Sequence, residues 1–137
     1  MSYNYSKLAN YEHDCPHCIF LGAFESEERM FDLYYHDMDN NRTVLARYGN
    51  DGQDYESGLQ MATKDGVPYL YEARLRSEIV ECLKETKEAD WVSIATYCGV
   101  EVGAMAARLK KMEEYGVIEG IHRLCKLREY KLAFGQS

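Results

Sequence analysis

Between Glu72 and Ile118 the apolar residues keep helical spacing, and two glycines cut the run into helix-sized pieces. Leu75, Ile79 and Leu83 recur every fourth residue through ARLRSEIVECLKE, with Val80 and Cys82 widening the face. Asp90 stands where an N-cap would open a second helix, WVSIATYC, and Gly99 ends it. The spacing predicts a third helix over about 101–115, with Val102, Met105, Leu109 and Met112 on one face and Gly116 as its stop. VIEGIHRLCKLREYKLAF then reads as two short strands. Three helices trailed by a β-ribbon leave few arrangements open to the back of the chain.

The front follows a different rule. MFDLYYHDM (30–38) and RTVLARYG (42–49) are rich in β-formers, and the turn-prone DNN between them predicts a hairpin. GNDGQDYESG (49–58) reads as loop, and KDGVP (64–68) as a second break. The expected fold class is therefore α+β. A β-hairpin module at 1–66, rich in tyrosine and zinc-pinned in one reading, precedes a helical domain at 67–137. If the chain pairs with a copy of itself, the helix at 72–88 is the place expected for that contact.

DWVSIATYCGVEVGAMAARLKKMEEYGVIEG (90–120) resembles the winged helix-turn-helix family. Ile94 and Ala95 stand where the first helix of the motif packs on the second. Gly99 stands at the tight turn, where a left-handed backbone favours glycine. Met105, Leu109 and Met112 fall at core positions of the recognition helix. Gly116-Val117-Ile118 matches the exit into the wing, and REYKLA (128–133) its returning strand. The resemblance spans about residues 72–134 and implies duplex DNA as partner, in a transcriptional regulator. Carried onto this chain, the DNA-facing residues are Ala104, Ala107, Arg108 and Lys111 on the recognition helix, with Arg123, Lys126 and Arg128 on the wing. His122 and Lys131 add further wing cations. Base reading needs bidentate groups, and of that helix face only Arg108 supplies one.

Charge bears on this expectation. Net charge is −7, and residues 1–66 carry five basic against twelve acidic side chains, whereas residues 90–137 carry seven against six. An acidic front is repelled by nucleic acid, so only the back can face phosphate. The alternative is an acidic inhibitor or adaptor, of the kind a bacterium or bacteriophage encodes, that uses its winged helix to bind protein.

HDCPHC (13–18) is the other chemical motif. A CxxC turn places two thiolates on one side of a tetrahedral zinc ion, and two further ligands must arrive from elsewhere. Cys15, Cys18, His36 and His13 make such a Cys₂His₂ set, although no second knuckle elsewhere repeats the CxxC or HxxxH spacing. CPHC also resembles the active dithiol of the thioredoxin family's bacterial disulfide oxidase. That resemblance implies Cys15 as nucleophile, Cys18 as resolving thiol, and Pro68 of GVPYL facing them. Against it, no apolar strand precedes Cys15, and the chain turns helical after Pro68. A third reading is a pair of plain thiols in a tight turn. Cys82, Cys98 and Cys125 read as small core residues.

No Ser/His/Asp order, phosphate-cradling glycine loop or HExxH motif occurs, so hydrolase and transferase chemistry finds no support, and the chain is expected not to be an enzyme. Carboxylates such as Asp37, Asp51 and Asp54 are expected on solvated loops. No apolar run nears the roughly 18 residues of a membrane span. The N-terminus lacks a basic start and apolar core, so a cytoplasmic protein is expected.

Overall fold

The β-formers of the front half build a four-stranded antiparallel sheet: β1 (Cys18–Ser26), β2 (Arg29–Met38), β3 (Asn41–Tyr48) and β4 (Gln53–Gly58), in that order across the sheet. The computed structural model describes residues 18–38, 41–48 and 53–134. β2 and β3 are the expected hairpin, in register from Phe31 opposite Tyr48 to Met38 opposite Asn41. Phe31, Asp32, Leu33, Tyr34 and Tyr35 are buried in succession, so both faces of β2 are covered. The stretch expected as loop after residue 49 instead supplies β4. Ala46 pairs with Tyr55 and Arg47 with Asp54, and the Arg47 guanidinium grips the Asp54 carboxylate at 2.5 and 3.0 Å. Asp54 is thus a strand residue with a fixed partner, as is Asp37, which meets Arg42 at 3.5 Å.

β1 carries a bulge between Phe20 and Gly22, where Gly22 takes φ 96°. A bulge takes backbone groups out of the ladder. Here a buried arginine collects them. Arg76 Nη1 donates to the carbonyls of Leu21 and Ala23 at 3.0 and 2.9 Å, while its Nε donates to Glu72 at 2.8 Å. Arg76 lies on α1 (Pro68–Thr86), which begins earlier than the apolar spacing indicated. Pro68 is its first residue, a position where the missing N–H costs nothing. It is therefore not the strand proline that the thioredoxin resemblance implied. Tyr69 stacks on Phe31 with ring centroids 4.0 Å apart, and Tyr55 meets both rings edge-on.

The chain divides into two compact units between Ser77 and Glu78, inside α1 and beyond the break expected at 66/67. In the second unit, β5 (Ala89–Asp90) leads into α2 (Trp91–Cys98), then α3 (Val102–Glu114), β6 (Ile118–Ile121) and β7 (Glu129–Leu132). Asp90 caps α2: its carboxylate accepts from the Ser93 N–H at 2.8 Å and from the Ser93 hydroxyl at 3.0 Å. Those bonds favour the charged carboxylate and hold its pKa below the usual range. Gly99 closes α2 at φ 68°, and its N–H reaches the carbonyls of Ala95 and Thr96. Ile94, Ala95, Met105, Leu109, Met112, Val117 and Ile118 are buried. β7 lies between β5 and β6 in a three-stranded sheet, with Ile118 opposite Leu132 and Ala89 opposite Tyr130.

The architecture is α+β, a four-stranded sheet followed by helices and a small sheet. α1 is not an open face for self-association, because Leu75, Ile79, Val80, Cys82 and Leu83 are all buried. No described helix is long and apolar enough to cross a membrane.

Candidate macromolecule-binding surface

The hairpin of β6 and β7 and the outer side of α3 hold every residue that the sequence assigned to DNA contact. On α3, Ala104, Ala107 and Lys111 are exposed, as are Glu101, Gly103 and Lys110. Lys111 lies 3.9 Å from Glu114. Arg108, the single candidate base reader, is half-buried and has one guanidinium nitrogen shut off from solvent. Its positive charge acts on the Cys98 thiol. Burial nevertheless drives that thiol up to about 12, with Glu78 and Cys82 adding to the rise.

The arginines of the β6–β7 hairpin form solvent-exposed ion pairs with this chain's own carboxylates. Arg128 donates to Glu113 on α3 at 2.7 Å and lies over the Tyr130 ring, 5.6 Å from its centroid. Its guanidinium occupies the space beside Gly120, where a Cβ would come within 2.2 Å of Nη2. The Gly120 N–H itself donates to the same Glu113 carboxylate at 3.3 Å. Glycine at 120 thus makes the seat in which Arg128 rests. Arg123 donates to Glu88 at 3.1 Å and to Glu129, and Lys131 lies 3.6 Å from Glu119. Arg123, Arg128, Lys131 and Lys111 thus each stand beside a carboxylate of this chain, in pairs open to solvent.

Two exposed leucines stand among the polar groups of the apex. Leu124 is 93% exposed and Leu127 49%, with Cys125 between them in a left-handed conformation at φ 62°. Cys125 is exposed, contrary to the core position expected for it, whereas Cys82 is buried and Cys98 half-buried. His122 and Arg123 precede Leu124, and Lys126 lies between the two leucines; all three are exposed. Sequence reasoning missed Leu124 and Leu127. The available signal was their place between cations in HRLCKLR, where an amphipathic strand would have alternated more regularly.

Comparison with protein-family models, curated proteins and solved structures returned no match.

The expected metal centre needs correction. Among the described residues, no group of three or more His, Cys, Asp or Glu side chains gathers in a way that could hold a metal ion. Cys18 and His36 do meet, with Sγ 3.3 Å from Nδ1, but two ligands do not make the tetrahedral set a structural zinc requires. His13 and Cys15 lie outside the described residues. The zinc assigned to Cys15, Cys18, His36 and His13 is accordingly withdrawn.

Proposed function

We propose that the second unit is a winged helix-turn-helix that docks on a protein, and that the chain serves as a small adaptor or inhibitor. Two helices joined by a left-handed glycine, followed by a hairpin that recruits β5 as third strand, support the winged-helix reading. The pairing of Arg123 and Arg128 with this chain's own carboxylates carries the choice of partner. A wing that binds phosphate presents free cations, because that binding gains from displacing the counterions condensed on the duplex. This wing holds its arginines in surface ion pairs with Glu88, Glu113 and Glu129 and presents the exposed Leu124 and Leu127 beside them. Burying one exposed leucine in a partner's pocket is worth about 1.5–3 kcal/mol, a usable anchor.

Duplex DNA is the second reading, favoured by the exposed Lys110, Lys111 and Lys126. Fluorescence anisotropy with a random-sequence duplex at low salt separates the two. No measurable binding is expected. Capture of a host protein that survives nuclease treatment, and is lost with Leu124→Glu, is the positive result. Duplex affinity that falls steeply as salt rises would overturn the protein-docking reading in favour of DNA.

A further inference from the structure

We infer that Cys18 and His36 form a reactive thiol site, in which the imidazole takes the thiol proton and Cys18 exchanges with small disulfides. The two residues are direct cross-strand partners in the register of β1 and β2, so the contact is built by the sheet. Sγ and Nδ1 lie 3.3 Å apart, within hydrogen-bonding reach for sulfur. β1 is an edge strand, leaving one side of Cys18 without a neighbouring strand among the described residues. His36 is half-buried and stays in reach of solvent. Along the same face lie Phe20 on β1, Tyr34 and Asp32 on β2, and Thr43 on β3, opposite His36. The Asp37–Arg42 ion pair occupies the next register position.

Other thiols make the contrast. Cys82 and Cys98 are both pushed up by burial, so neither ionises readily near neutrality. Cys125 is exposed at the wing apex with no base described beside it. Of these, only Cys18 is paired with an imidazole, and a base beside a thiol is what converts it into the nucleophilic thiolate. The exchange balances without any further reagent. His36 accepts the Cys18 proton, and the thiolate attacks one sulfur of the disulfide. A new S–S bond forms as the old one breaks, and the departing thiolate recovers the proton from the imidazolium. Cys18 is oxidised and the released sulfur is reduced. This inference does not depend on the winged-helix reading.

The test uses the reduced full-length chain with oxidised glutathione as probe, and peptide mass spectrometry to locate the adduct over time. A Cys15→Ser background keeps the mixed disulfide from being resolved by the neighbouring thiol. Cys18 is expected to be modified ahead of Cys125, although it is far less exposed. His36→Gln is expected to slow Cys18 about tenfold or more while leaving the Cys125 rate unchanged. Modification in simple order of exposure, Cys125 first and Cys18 with Cys82 last, would overturn the inference without any variant at His36. So would an unaltered Cys18 rate in His36→Gln protein with a native circular dichroism spectrum.

Discussion

Asp32 shows how one side chain can oppose the strand that holds it. It is 2% exposed at the centre of β2, with Ala23 and Arg47 as its cross-strand neighbours. Burial pushes its carboxyl up to about 6, against the pull of the Arg47 guanidinium. A raised folded-state pKa means that the native chain holds this proton more tightly than the unfolded chain does. The protonated carboxyl is tolerated below about pH 4, and the charged form weighs on stability as pH climbs through 6. Asp32→Asn should therefore raise stability at pH 7 by about 2–3 kcal/mol, from the shift of roughly two units. The gain should vanish near pH 4. Urea unfolding of both proteins at the two pH values checks it, and an equal effect at both would mean that desolvation of the charge is not the cause.

At the scale of the element, β6 illustrates what pattern reading can and cannot reach. Its strand character and its exit from Gly116 were legible, because a glycine stop followed by β-branched residues has a local physical cause. The fate of its cations was not legible. Arg128 folds back only because residue 120 lacks a side chain and Glu113 waits on α3, and such a three-element coincidence leaves no periodic trace. Gly120→Ala should expel Arg128 from its seat, since the guanidinium is the flexible party in that clash. The expected cost is about 1 kcal/mol or less, as for other exposed ion pairs. The variant should also gain measurable duplex affinity at low salt, read by the same anisotropy assay; unchanged affinity would mean that the wing does not face the duplex even when charged. Two front strands, β1 and β4, were lost to the sequence for related reasons. β1 is buried on both faces and bulged at Leu21, so it shows no alternation. QDYESG is polar enough to pass for a loop, and only its pairing with β3 makes it a strand.

Across the whole molecule, the three helices and the closing hairpin of the back half were readable in their order, while β5, the start of α1 and the binding chemistry were not. Capping by Asp90, the left-handed Gly99 and the buried Met105, Leu109 and Met112 follow from local rules, and they appear where those rules put them. The expectation of zinc failed because one CxxC cannot specify which distant residues will join it. Self-association through α1 was expected because its apolar face is visible in sequence, but what covers such a face is not. With that face buried, sedimentation equilibrium should return the mass of one chain, 15.9 kDa. A concentration-dependent rise to twice that value would show that another surface, with the bare leucines of the wing foremost, mediates pairing.

Arg123 and Arg128 each lean on carboxylates of their own chain. On the protein-docking reading, three carboxylates, Glu88, Glu113 and Glu129, stand between this surface and one that would attract polyanions. All three lie outside the hydrophobic interior, so replacing them leaves the packing of the core untouched. The lineage that carries this chain is therefore a few codons from a different kind of partner, reachable without redesigning the fold.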